Sequence, residues 1–455
     1  MKKSGNSAVQ ACLKWGPKMD AERTLTGGLV VPRSCSEERT SSGNTVWDPV
    51  HQSYYWIPNF PDQSTHLIGR LPMISLFTGA GGLDLGLEQA GFVVKAFVEN
   101  DPDCIDTIRH NRPQWPLAGT GDITELTSQE ILDVSGLKPG EVALVAGGAP
   151  CQPYSSLGKR DGEKTANGRL YRHFIRIVRE ARPAMFLFEN VRGMLQNHRR
   201  IVDFMRDAFL ETGYETTLRL VCAADYGVPQ KRYRVFMIGR RDNKSPAFPL
   251  PTHFDPDSDE QARLQGLLES SGCRRTIRLK RWETVGRAFS RLTSKHYERP
   301  DSYRANLSPS IVKMIEHIQP GTTMCWRDLP DHLKFRCWRE SGFSGSDCFG
   351  RLLLNRPSVT IRTGAIYPAK GRYIHPIEHR GLDTIEMAVL QSFPITGRQS
   401  RWEFRGGITS IARQIGNAVP PLLAYHLGVA LRQQIDDMLR LGSYTLPLTG
   451  EMTPC

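Results

Sequence analysis

The sequence predicts an α/β fold, a doubly wound and mainly parallel sheet with a smaller second domain. Three observations carry that expectation. Short β-type apolar runs alternate with amphipathic helical stretches from residue 73 to residue 239, the first run opens into a glycine-rich loop, and beyond residue 241 the texture turns basic and aromatic. Alternation at this spacing marks βαβ units, whose helices cover both faces of a parallel sheet. A chain of 455 residues, 39% hydrophobic and 23% charged, has material for that core and a second domain.

Taken in order, residues 1–70 are rich in Ser, Thr, Gly and Pro, show no periodicity and carry an aromatic patch at Tyr54, Tyr55 and Trp56. They read as an extension of unassigned role. The first strand runs from Met73 to Phe77, the loop Phe77-Thr78-Gly79-Ala80-Gly81-Gly82 follows, and a helix with Leu83, Leu87 and Ala90 on one side comes next. Further strands are expected in the apolar run ending at Glu99 and at 143–148, 184–190 and 233–239, with helices at 172–181 and 199–213. Residues 242–272, with prolines and the acidic run DPDSDE, read as a linker or insertion. From 272 to 340, fifteen Lys and Arg stand against seven Asp and Glu, interleaved with Trp282, Tyr297, Tyr303, Trp326, Phe335 and Trp338. That mixture suits phosphate contact and base stacking, or equally a solvated charged face over an aromatic core. Residues 420–439, opening on Pro, read as an amphipathic helix.

Composition narrows the function. The 59 Lys and Arg exceed the 47 Asp and Glu by 12, a basic balance that favours a polyanionic partner such as nucleic acid. No apolar run approaches the ~20 residues of a bilayer span, and the N-terminus lacks an apolar stretch of signal-peptide length. A cytoplasmic protein without membrane association is expected. The ten cysteines lie at least eleven positions apart with no CxxC pair, so neither a metal cluster nor a disulfide framework is expected.

In doubly wound sheets, ligands bind at the carboxyl ends of the strands. The glycines at 79–82, Glu99, Asp122, Cys151 and Glu189 all fall there, and one cleft could collect them. The glycine loop lets backbone approach a ligand, Glu99 can hold ribose hydroxyls, and Asp122 in Gly121-Asp122-Ile123 can accept from an adenine amino group. The loop lacks the GKS or GKT ending of a P-loop, so a nucleoside without a triphosphate fits better. Cys151, between Pro150 and Pro153 after a buried strand, has the setting of a positioned nucleophile, although an inert buried thiol is the commoner fate of a cysteine. Glu189 stands at a strand end, and Arg232 and Arg234 are expected on alternate positions of one strand face; surface salt bridging is the alternative for each.

The ordered series FTGAGG, VEND, GDIT, GGAPCQPYS, FENVRG, QKRYRVFMIGR, RPSVTIRTG and QIGNAVP, spread from residue 77 to residue 420, resembles the cytosine-C5 DNA methyltransferases of bacterial restriction-modification systems, block for block and in order. The resemblance implies a Rossmann-like S-adenosylmethionine-dependent methyltransferase sheet with a smaller DNA-recognition domain. The chain then divides into the extension (1–70), a catalytic and cofactor domain (71–245), a linker with the target-recognition domain (246–405) and a C-terminal segment returning to the first domain (406–455). It also places Phe77, Gly79, Gly81, Gly82, Glu99, Asn100, Asp122, Ile123, Pro150, Leu170 and Asn417 around S-adenosyl-L-methionine, with S-adenosyl-L-homocysteine as product. Cys151 becomes the nucleophile, and Glu189, Arg232 and Arg234 surround a flipped-out cytosine. Tyr154 replaces the family's usual Phe, Met387 stands where a small or polar residue is common, and nothing carries over to residues 1–70.

Double-stranded DNA is the implied partner, within the nucleoid, with a cognate restriction endonuclease sharing the target without stable contact; a monomer is expected. A transfer-RNA cytosine-C5 methyltransferase is the closest alternative, but its Cys-Phe-Thr signature is met here by Cys348-Phe349-Gly350, and about 100 basic-rich residues separate QKRYR from RPSVT. A catalytically inactive DNA-binding regulator would not need Cys151, Glu189 and both arginines. A zinc deaminase would need a second cysteine after Pro150-Cys151.

Overall fold

A computed structural model describes residues 45–57, 69–150, 169–273, 276–341, 347–396 and 401–445. Cys151, Arg274 and Arg275 lie outside the described residues. The first described elements are a hairpin, β1 (Thr45–Asp48) and β2 (Ser53–Trp56). The main sheet is built from β3 (Leu71–Leu76), β4 (Phe92–Val98), β5 (Leu144–Gly147), β6 (Met185–Val191) and β7 (Glu215–Cys222); after the two-residue β8 (Gln230–Lys231), β9 (Tyr233–Arg240) completes it. The order across it is β4-β3-β5-β6-β9-β7. The first four strands are parallel, and β9 runs antiparallel to both neighbours. The expected sheet is therefore present with one reversed strand, because β7 returns to β9 through a short connection that no crossover helix spans.

Near-continuous apolar strands follow from burial on both faces. Met73, Leu144, Leu187 and Phe236 pack on α1 (Gly82–Gln89) and on the long C-terminal helix, Pro421–Arg440, through Leu423, Leu427 and Leu431. The alternate residues Ile74, Val145, Phe186 and Met237 face the other way, against Phe174 of α2 (Tyr171–Ala181) and Phe209 of α3 (Arg199–Glu211). Two layers of helices thus sandwich the sheet, as periods of two and 3.6 require.

Two stretches are more ordered than their sequence announces. The hairpin adds to β10 (Ala247–Pro249), β2 and β10 pairing in parallel. Asp48, fully buried, meets Arg263 at 3.1 Å, His51 at 2.6 Å and Arg219 at 3.7 Å. Within 242–272, residues Glu260–Ser270 form a helix, and its Leu268 packs with Val46 and Ile57. A separate hydrophobic core lies in the basic and aromatic stretch and just beyond it, in which Trp326, Phe349, Met314 and Ile315 are buried with Phe335 and Trp338 packed against them. Most of the aromatic residues of 272–340 are therefore core, whereas Tyr303 is exposed.

Candidate functional site

The carboxyl ends of β3, β4, β5 and β6 converge as topology requires. After β3 the chain turns through Phe77 at φ 55°, Gly79 at φ 57° and Gly81 at φ 73°, left-handed conformations that glycine tolerates and Phe77 adopts at a cost. This turn aims the Gly79 N–H at Glu99 Oε2, 2.6 Å away, while Glu99 Oε1 accepts from Asn100 N at 3.0 Å and Asp101 N at 2.8 Å. A carboxylate has about four acceptor positions. With three filled by main-chain donors, Glu99 is fixed in orientation and retains room for one more hydroxyl. Burial pushes its pKa up, against the pull of those N–H groups.

Asp122 Oδ1 accepts from Thr124 N at 2.9 Å and Thr124 Oγ1 at 2.8 Å, bonds that hold its carboxyl below the usual range, with a further contribution from the Asn100 side chain. Ile123 is buried in the cluster against which Phe77 and Leu170 also pack. Gly82 lies where a Cβ would come 2.5 Å from Val419 O, which brings the start of α1 against the segment containing Asn417. Phe77, Gly79, Gly81, Gly82, Glu99, Asn100, Asp122, Ile123 and Leu170 are thus gathered around one end of the sheet, and Asn417 is exposed at its rim. Main-chain donors, a fixed carboxylate and an apolar wall together fit a nucleoside cofactor such as S-adenosylmethionine.

Glu189 and Arg234 form the second group. Register pairs Glu189 with Phe236 and Val191 with Arg234, so both polar side chains share the sheet face of Leu187 and meet diagonally. Arg234 Nε lies 2.9 Å from Glu189 Oε1. Burial pushes the Glu189 pKa up, while Arg234 and then Arg232 pull against it. Gly148 has no side chain for a reason: a Cβ there would stand 2.5 Å from Glu189 Oε2. Asn190 Nδ2 donates to Ala149 O at 3.3 Å, fastening the segment that ends in Pro150 beside the carboxyl group.

Arg232 departs from the expectation. It lies between β8 and β9 rather than on a strand, fully buried, and its guanidinium donates to three main-chain carbonyls, Ile361 O at 3.0 Å, Gly416 O at 2.9 Å and Asn417 O at 3.3 Å. Alternation along one strand face fails because β8 pairs with β13 (Ser358–Val359), outside the main sheet. Glu189 also sits within β6, two residues before its end. Three polar residues were missed by sequence reasoning. Gln230 and Gln391 are fully buried and bonded to each other, and Asp84 is fully buried on α1. Gln230 opens the QKRYRVFMIGR block, but nothing local tells that it pairs with Gln391.

Residues 71–433 match the C-5 cytosine-specific DNA methylase family. The chain is 38% identical over 412 residues to Type II methyltransferase M.SacI of Streptomyces achromogenes, covering 83% of this chain and 96% of that one. It is 32% identical over 399 residues to Type II methyltransferase M.XorII of Xanthomonas oryzae pv. oryzae, covering 82% and 89%. In fold it is similar to a prophage-encoded Escherichia coli protein whose name marks it as a candidate DNA modification methyltransferase, with a TM-score of 0.52, 24% identity and coverage of 80% of this chain and 99% of that one.

Proposed function

The chain belongs to the C-5 cytosine-specific DNA methylase family, and from that premise we propose that Cys151, Glu189 and Arg234 methylate a flipped-out cytosine within a specific double-stranded DNA sequence. The protein is a DNA cytosine-5-methyltransferase of the Type II restriction-modification kind.

Cytosine C5 is too weak a nucleophile while the ring is aromatic. Addition of the Cys151 thiolate forms a bond to C6 and turns the ring into an enamine nucleophilic at C5. Glu189 is suited to assist. Its carboxyl can hydrogen-bond at N3, burial raising its affinity for a proton, and Arg234 beside it stabilises charge developing at O2. S-adenosylmethionine, held through its ribose by Glu99, would supply an electrophilic methyl group on a sulfonium. Once C5 has taken the methyl group, leaving S-adenosylhomocysteine, the C5 proton passes to solvent, the C6–S bond breaks and the thiolate is restored. A free thiol has a pKa of about 8.5, so the cationic Arg234 also helps Cys151 to ionise. C6 is inaccessible in a stacked duplex, which is why the base is flipped.

The single observation that carries this reading is the buried Glu189–Arg234 pair beside the segment ending at Pro150. The family context supports a protective role alongside a cognate endonuclease, acting as a monomer in the cytoplasm at the nucleoid. No helix among the described residues is long and apolar enough to cross a membrane. Bisulfite sequencing of plasmid DNA from cells with and without the protein tests the reading. Protected cytosines at one recurrent sequence are expected, and an unchanged conversion pattern contradicts it.

A further inference from the structure

Gln230, Arg232 and Gln391 are each fully buried and join segments far apart in the chain. Gln230 Nε2 donates to Leu390 O at 3.1 Å and to Gln391 Oε1 at 2.9 Å, and its Oε1 accepts from Ile361 N at 2.9 Å. Gln391 Nε2 donates to Ile415 O at 2.6 Å. Arg232 completes the set through Ile361 O, Gly416 O and Asn417 O. Ile361 is thereby held at both its N–H and its carbonyl. The backbones are pressed together at the same point, since a Cβ on Gly416 would stand 2.4 Å from Thr363 N. The network thus ties the segment leading into β9, which carries Arg234, to the stretch around Ile361 and to the end of the Ile408–Asn417 helix.

We propose that Arg232, braced by Gln230 and Gln391, is a positioning residue that holds the Gly416–Asn417 carbonyls against the base-binding strand, and so shapes the cofactor half of the cleft rather than touching the cytosine. This rests on the functional reading above, which puts S-adenosylmethionine beside Asn417. A planar guanidinium can grip carbonyls from two segments at once in a fixed geometry. The compact ammonium of lysine cannot span them, so Arg232→Lys keeps the charge and loses the bridge. Gln391→Met removes a polar link with little change in volume.

The test is calorimetric titration of S-adenosylmethionine into the full chain without DNA, with turnover measured alongside. Arg232→Lys and Gln391→Met should each bind about tenfold more weakly, and turnover should recover at saturating S-adenosylmethionine. Arg234→Lys should bind like wild type and stay slow at saturation. Arg232→Lys with wild-type cofactor affinity and a slow turnover that saturation does not rescue would place the guanidinium on the base and overturn the proposal. If Arg232→Lys fails to fold, Gln391→Met decides, and wild-type affinity in that variant overturns it. A wild-type chain that binds no S-adenosylmethionine defeats the functional reading itself, and this proposal with it.

Discussion

Arg234 and Glu189 meet at 2.9 Å across the β6–β9 ladder, each side chain only 13% exposed. An ion pair this buried is costly to assemble, and its net stabilisation is small compared with the penalty of breaking it. Its position beside Gly148 and Ala149 gives it a use, because it presents both an acid and a cation where the segment toward Cys151 begins.

Glu189→Gln is expected to lower turnover by about 100-fold, since it removes a group needed mainly in the transition state. S-adenosylmethionine affinity should be unchanged. Single-turnover kinetics at saturating cofactor, set beside a binding titration, check this; a variant impaired in affinity alone would remove Glu189 from the base half.

Glu99→Ala should have the opposite signature. Loss of a carboxylate fixed by Gly79, Asn100 and Asp101 should weaken S-adenosylmethionine by about tenfold, with recovery at high cofactor. Unaltered affinity would move the ribose site elsewhere.

The contrast between these two residues shows what was legible in the sequence. Glu99 and Glu189 could be placed because each follows a short apolar run, and such local patterns survive without knowledge of the fold. The hairpin at 45–57 was not legible: its strands are four residues each, and β2 finds its second partner at 247–249, outside any local window. Arg232 was misplaced for a related reason. A strand-like spacing from Arg234 implied a shared face, but the three carbonyls that claim its guanidinium come from residues 361, 416 and 417.

The hairpin should be integral to stability. Asp48 is fully buried against Arg219 and Arg263; Arg263 keeps Glu260, but Asp48→Ala leaves the buried Arg219 guanidinium without its carboxylate. Urea unfolding should show a loss of roughly 3 kcal/mol. A loss below about 1 kcal/mol would mean that the hairpin is an appendage.

Asp84 makes stability depend on pH. Burial raises its pKa from 3.8 to about 7, the Ser75 hydroxyl opposing. A raised folded-state value means that the stability it contributes is fully present below pH ~4 and is lost as pH rises through about 7, by an amount on the order of 4 kcal/mol. Asp84→Asn, which cannot ionise, should therefore gain stability relative to wild type by about 1.4 kcal/mol per pH unit between pH 5 and pH 7, with little further change to pH 8. Parallel unfolding profiles across that range would contradict the assignment.

The covalent step is tested most directly by trapping. DNA in which cytosine is replaced by 5-fluorocytosine, incubated with the protein and S-adenosylmethionine, should yield a denaturant-stable adduct, because fluorine cannot leave C5 as a proton does. Mass spectrometry of the digested adduct should place the linkage on Cys151, and Cys151→Ser should form none. Methylation of ordinary DNA under the same conditions with no adduct, or an adduct on another residue, would contradict attack by Cys151 at C6.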